Sequence, residues 1–218
     1  MSNSPIHCLV LGGGGHGKVV IDAMLGDASV SKIAIIDNAM SLKEKSLFGL
    51  PLLGGDEVLG KAQSSGYSHF VLGVGSLGFN RKRQDIYENA LSHGLLPHTV
   101  IHPDATLSEH AEIGAGTVIL GRSVINAGAT IGCNAIINSS AIIEHDCRIG
   151  DHAHVAPGAC VLGDVNVGSF THVGAGAVIR QGIHIGDEVM IGAGAVVLHD
   201  VKDGETVSGV PARAHGNA

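Results

Sequence analysis

From Ile101 to Val197 every sixth residue is isoleucine, leucine or valine, seventeen positions in a row with no residue inserted. A period of six fits neither the 3.6-residue helix nor one long alternating strand; it predicts short strands separated by tight turns. Four residues after each aliphatic comes a second class that is mostly small, including Ala105, Ala129, Ala141, Cys147 and Ala177. Each hexad therefore reads as one flat side of a coil, with the small residue at an inside corner. The larger exceptions, Val165, Ile183, Val189 and Val201, imply slightly wider corners towards the C-terminal coils. Gly, Asn and Asp fill many remaining positions, as turns with permissive backbone require. Aromatic residues are 3% of the chain and tryptophan is absent, which suits a narrow prism of stacked small aliphatics.

The pattern resembles the hexapeptide repeat of the left-handed parallel β-helix, with three hexads per coil and roughly five and a half coils. The hand is implied by that resemblance, because the usual crossover rule favours the opposite one. The period starts abruptly, so the chain divides into residues 1–100 and a β-helix with a short tail, residues 101–218.

The first hundred residues read as a small α/β, Rossmann-like unit. Residues 6–11 predict a buried strand, 12–17 a turn, 18–25 a helix and 32–36 a second strand ending in Asp37-Asn38. A third strand over 69–74 leads through Gly73-Val74-Gly75-Ser76 to a helix from about Asn80 to His93. Gly12, Gly14 and Gly17 satisfy G-x-G-x-x-G, and Asp37 follows at the ribose-binding distance of dinucleotide folds. The unit is too short for the usual two-half dinucleotide domain. Glycine amides at a helix N-terminus still favour a phosphate or diphosphate, and Asp37 can accept from a sugar or base, so a nucleotide-linked ligand is expected. His16 has no evident turn-forming purpose in that loop. The bland alternative is that the glycines only make a tight turn.

A net charge of −7 with no Lys/Arg cluster argues against nucleic acid or an anionic membrane as partner. No apolar run reaches the length of a membrane span, and the N-terminus does not read as a signal peptide. Cys8, Cys133, Cys147 and Cys160 lack CxxC spacing, so reduced thiols and a cytoplasmic location are expected. Among the histidines of the repeat, none shows the close pair spacing of zinc-binding hexapeptide proteins; no metal is expected, and His110, His152, His184 and His199 default to surface residues. His154 and His172, eighteen apart, should stack on one face. His145 stands out: it follows the inward Ile143 by two residues, at a turn, between Glu144 and Asp146. A carboxylate beside an imidazole fixes its tautomer and stabilises its cation, as a general base needs.

The stretch from Asn138 through Glu144-His145-Asp146-Cys147 to His154 and Pro157-Gly158-Ala159 resembles the hexapeptide-repeat nucleotide-amino-sugar N-acetyltransferases of bacterial glycan pathways. These act on UDP-4-amino sugars or GDP-perosamine and have sialic acid O-acetyltransferase-like relatives. The glycine loop, Ile36-Asp37, Gly73-Val74-Gly75, Ile101-His102-Pro103 and Gly209-Val210-Pro211-Ala212-Arg213 extend the likeness over nearly the whole chain. The resemblance implies an acetyl-CoA-dependent transferase, homotrimeric, acetylating the amino group, at C4, of a nucleotide-linked sugar. His145 would be the base, with Asp146 or Glu144 orienting it. Gly14, Gly15, His16, Asp37, Asn38, Gly75 and Asn138 would bind the nucleotide sugar. His154, Gly163, Ala175 and Ala193 would bind acetyl-CoA between neighbouring prisms. Asn38 departs from relatives that carry a second acid there. O-acetylation of a sialic acid or other sugar hydroxyl is the nearest alternative, and a non-catalytic β-helical scaffold or ligand-binding protein is one of another class.

Overall fold

The computed structural model describes residues 5–39, 46–76 and 81–215. Strand β1 (Ile6–Leu11) leads through the glycine loop into α1 (Gly15–Met24) and then β2 (Val30–Ile36). There follow β3 (Ser46–Leu47), β4 (Leu50–Gly54), β5 (His69–Leu72), α2 (Arg81–Ser92) and β6 (Leu96–Pro97). They form one sheet in the order β3-β4-β2-β1-β5-β6. Both neighbours of β1 run parallel to it. The chain leaves β1 on one side for β2 and returns on the other for β5, so a crevice opens at the carboxyl end of β1.

Several elements differ from the sequence expectation. Helix α1 starts at Gly15, because the loop glycines themselves enter the first turn. Strand β5 ends at Leu72, where Gly73 packs directly on the Gly12 carbonyl. Strand β4 lies between β2 and the two-residue edge strand β3, and it was hidden in the sequence because Pro51 argues against an interior strand. Asn80, the expected start of α2, lies outside the described residues.

From Val100–Ile101 onward the chain coils into a three-sided prism of two-residue strands. The first face carries Val118–Ile119, Ile136–Ile137, His154–Val155 and His172–Val173; the second carries Val124–Ile125, Ile142–Ile143, Cys160–Val161 and Val178–Ile179; the third carries Thr130–Ile131, Arg148–Ile149 and Asn166–Val167. Partners in each ladder are eighteen residues apart and parallel, such as Ile136 with His154 and His154 with His172. Inward aliphatics from Ile119 onward form one core with the corner residues, Val165, Ile183, Val189 and Val201 included. Each such aliphatic contributes about 1.5–3 kcal/mol by leaving water. At the first coil the aliphatics are more exposed, Ile101 by 44%, because no coil lies beneath them. Thr117 and Thr171 fill buried corners and donate to the Gly132 and Gly186 carbonyls at 2.7 Å, so their hydroxyls stay satisfied.

Every sixth residue from Gly116 to Gly194 has positive φ, and eight of these are not glycine, Asn134, Asp146 and His152 among them. Each non-glycine costs about 1 kcal/mol in this conformation, offset by the closed coil that it turns. The column Gly116, Asn134, His152, Phe170, Glu188 is where α2 docks. A Cβ on Gly116 would lie 2.7 Å from the Tyr87 ring. His152 stacks on Phe170 at 4.9 Å and meets Tyr87 edge-on. Arg81 covers Phe170 and pairs with Glu188. His152 is thus a half-buried docking residue and not the surface histidine expected, because α2, remote in sequence, covers its corner. His110, His184 and His199 are exposed.

Arg83 is the strongest tie between the two parts of the chain. Its guanidinium is 2% exposed and donates to the Val74 carbonyl and to the backbone and side-chain oxygens of Asn134, the latter at 2.7 Å. Burial pulls its pKa down to about 9. One arginine thereby joins the loop after β5 to the second full coil of the prism.

Candidate active site

The crevice beside β1 holds a cavity of about 350 Å³ bordered by Gly12, Gly14, Gly15, His16, Asp37, Asn38 and Gly75. The loop glycines divide into two kinds. A Cβ on Gly12 would strike Val74, and one on Gly17 would overlap the Gly12 carbonyl, so these two permit the close packing of strand, loop and helix. Gly14 and Gly15 have nothing within 4 Å of an added Cβ. The turn does not need them bare; the open space beside them is the cavity. With the amino end of α1 pointing there, the site favours an anion, and Lys82 adds a positive charge to its wall.

Asp37 braces this loop: its carboxylate accepts from the Gly13 amide at 2.6 Å and the Ala39 amide at 2.7 Å. Asn38 is joined to Asp56, donating to its carboxylate at 2.7 Å and accepting from its amide at 2.9 Å. Asp56 and Lys82 are cavity residues that sequence reasoning missed. Asp56 follows the unanticipated strand β4, and its one signal was the preceding Gly54-Gly55 turn.

The first face of the prism meets the cavity loops through histidines. His154 is 6% exposed, and its Nε2 lies 3.1 Å from the Asn138 amide nitrogen. The Asn138 oxygen accepts from the Ser139 amide, so its NH2 group faces His154 and Nε2 accepts. The proton then sits on Nδ1, buried beside the Ser76 backbone. Burial, then the neighbouring His172, His16 and Arg83, push the His154 pKa down to about 3. His172 meets His154 edge-on at 4.8 Å. Burial and the charge of Arg83 bring His16 down to about 4. His16, expected with the sugar, and His154, expected with the cofactor, thus share one neutral, buried cluster. Asn138 belongs with His154 and is not a wall of the cavity.

His145 lies elsewhere, on the corner between the second and third faces. Its Nδ1 is 2.9 Å from Asp146 Oδ2, which places the proton on Nδ1 and leaves Nε2 as the acceptor. Glu144 reaches only the His145 backbone amide, at 3.4 Å. The hydrogen bond to Asp146, helped by the charges of Glu144 and Asp164, raises the imidazole pKa above its ordinary 6.5. Two glycines, each eighteen residues from its partner, make room for the pair. A Cβ on Gly163 would lie 2.5 Å from His145 Nε2, and one on Gly128 equally close to Asp146 Oδ1. Gly163 is therefore the seat of the imidazole. Ala175 and Ala193 are exposed on the other edge of the second face, in the turn column above Ser139 and Pro157. The residues expected at the cofactor are consequently spread over two corners of one prism.

Burial raises the pKa of Cys147 and Cys160, and that of Cys8 much further. Among the described residues, no group of three His, Cys, Asp or Glu side chains is placed to hold a metal ion, and no helix is long and apolar enough to cross a membrane.

The model for the PglD N-terminal domain matches residues 7–90, and that for the bacterial transferase hexapeptide, six repeats, matches 128–163 and 164–201. Perosamine N-acetyltransferase from Caulobacter crescentus, solved as a point mutant with CoA and GDP-perosamine, is 34% identical over 97% of both chains, with a TM-score of 0.90. The acetyltransferase domain of PglB from Neisseria gonorrhoeae, solved with acetyl coenzyme A, is 35% identical over 97% of this chain and 100% of that one, at a TM-score of 0.89. WeeI from Acinetobacter baumannii is 27% identical over 96% of this chain and 100% of its own, at 0.85. No curated protein matches the chain. With this identity sustained through both the α/β unit and the left-handed β-helix, the chain belongs to the hexapeptide-repeat nucleotide-amino-sugar N-acetyltransferase family and is an acetyltransferase.

Proposed function

We propose that the protein transfers the acetyl group of acetyl-CoA to the C4 amine of a nucleotide-linked amino sugar, with His145 as general base. The observation that carries this reading is the His145–Asp146 pair: a half-exposed imidazole whose tautomer leaves Nε2 able to take a proton. The amine attacks the thioester carbonyl as Nε2 removes its proton. Asp146 balances the imidazolium, which then protonates the departing CoA thiolate, and the acetyl carbon ends bonded to nitrogen. The raised thiol pKa values of Cys147 and Cys160 disfavour a route through an acyl-cysteine. The nucleotide diphosphate belongs over Gly14 and Gly15. Neutral His154 belongs beside the thioester, and Ala175 and Ala193 along the pantetheine arm.

The chemistry of the three faces supports a homotrimer. The α/β unit covers much of the first, where Val100 and Val118 pack with α1 residues. The third presents Glu112, Thr130, Arg148, Asn166 and His184 outward. The second presents Val124, Ile142, Cys160, Val178 and Val196, an apolar stripe left partly exposed. Covering that stripe with another copy brings one chain's His145 corner towards its neighbour's first-face histidines and cavity. The proposed active site is completed between chains, and the boundary near residue 100 separates a sugar-holding unit from a catalytic prism.

Release of CoA thiol with a panel of nucleotide-linked 4-amino sugars, with sialic acid as control, tests the reaction. Thiol release with sialic acid alone would instead support O-acetylation. Because Gly15 borders open space, Gly15→Phe should fold normally and weaken nucleotide-sugar binding by at least about tenfold, leaving acetyl-CoA affinity unchanged in calorimetry. Loss of both affinities would refute the division into two sites.

The pH dependence has a definite sign. His145 works as a base only when neutral, so kcat/KM should fall as pH drops through an inflection above 6.5. Asp146→Asn removes the largest cause of the raised pKa and should shift that inflection downward. An unchanged inflection would show that a different group titrates.

A further inference from the structure

We infer that the nucleotide base read by this site is guanine, recognised by the joined side chains of Asn38 and Asp56. This rests on the proposed nucleotide-sugar binding and specifies its ligand. Both residues border the same cavity as Gly14 and Gly15, and Asn38 follows Asp37 at the end of β2, where a nucleotide with its diphosphate over the glycine loop can carry its base. Their mutual hydrogen bonds lock the two side chains together, Asn38 to the Asp56 carboxylate at 2.7 Å and the Asp56 amide to the Asn38 oxygen at 2.9 Å.

What the locked pair can still offer follows from its atoms. The Asn38 oxygen accepts from the Asp56 amide, so the side chain is fixed with its NH2 towards Asp56, leaving one N–H as the pair's single free donor. The ionised carboxylate of Asp56 only accepts. One of its oxygens holds the Asn38 bond and keeps a second lone pair, and the other is a further acceptor. The pair can therefore present one donor, from Asn38, beside two acceptors, from Asp56.

Guanine presents the complement: O6 accepts, and N1–H and the 2-amino group donate. Uracil and thymine present acceptor, donor, acceptor, so their second carbonyl faces a carboxylate oxygen, and turning the base over leaves the same mismatch. Cytosine and adenine present a bare ring nitrogen, an acceptor, where guanine presents N1–H, so a carboxylate oxygen is left facing an acceptor in either orientation. A single mispaired polar group of this kind ordinarily costs tenfold or more in binding.

Calorimetric titration of the full chain with GDP, IDP, UDP and dTDP tests the inference without turnover. GDP should bind at least about tenfold tighter than UDP or dTDP, and IDP, which lacks only the 2-amino group, should bind several-fold more weakly than GDP. Asp56→Asn should bring GDP to within about threefold of UDP, and Asn38→Asp, which turns the donor into an acceptor facing O6, should weaken GDP selectively. Equal or tighter binding of UDP or dTDP, or of IDP relative to GDP, would overturn the assignment of the base while leaving nucleotide-sugar binding intact. Failure of all four to bind would overturn both. A uniform loss across the four nucleotides in either variant would mean that the pair only supports the loop.

Discussion

His145→Ala is expected to yield a folded protein that binds acetyl-CoA and nucleotide sugar normally and turns over about 10²- to 10⁴-fold more slowly. The folding expectation follows from exposure: the side chain is 53% accessible and lies on a corner, so its removal leaves no buried cavity. The catalytic expectation follows from proton balance. An acylated amine must lose a proton, and of the residues on this corner His145 alone joins an acceptor nitrogen to a carboxylate-braced ring. Steady-state thiol release with saturating substrates reads the loss in kcat, and calorimetry with each substrate separately reads retained binding. Turnover within about tenfold of the parent would remove His145 from the role of base. The low-pH inflection should also vanish from the residual activity.

Val178→Glu is expected to abolish turnover without touching any group that bonds a substrate. Val178 is central in the apolar stripe of the second face, between Cys160 and Val196 in its ladder. A carboxylate there would have to be buried without a partner on assembly, at a cost of several kcal/mol per copy. The chain should remain folded, because the position points outward from the core. Sedimentation should show monomer, calorimetry should show undiminished nucleotide binding in the cavity, and thiol release should fall to background. A monomer with full activity would show that one chain holds a complete site.

The two substitutions separate what a residue does from where a neighbouring chain must put it. That separation also marks how far the sequence could be read. The six-residue period placed His145 on a turn and stacked His154 under His172, because a repeat without insertions converts position into geometry. The general-base candidate was legible for the same reason, although Asp146 and Glu144 flank it equally in sequence. Their difference is conformational: Asp146 occupies the positive-φ corner, φ 60°, from which its carboxylate reaches Nδ1, whereas Glu144 precedes the turn.

Other features had no local signal. Nothing near Arg83 announces a partner fifty-one residues away in Asn134, and nothing near His152 announces the aromatic rings of Tyr87 and Phe170. Asp56 was illegible because it follows a proline-containing strand that local propensity argues against. The glycines of the G-x-G-x-x-G loop looked alike in sequence. Their neighbours divide them into those required for packing and those left bare for a ligand.

By itself the sequence determined the prism, its register and the identity of its outward residues, since these follow from short-range periodicity and from which side chains tolerate water. Only the tertiary structure decided which face the α/β unit covers, which histidines lose their charge by burial and which carboxylate holds His145. Those outcomes depend on contacts between residues distant in the chain, and a repeating local pattern carries no information about what will be packed against it.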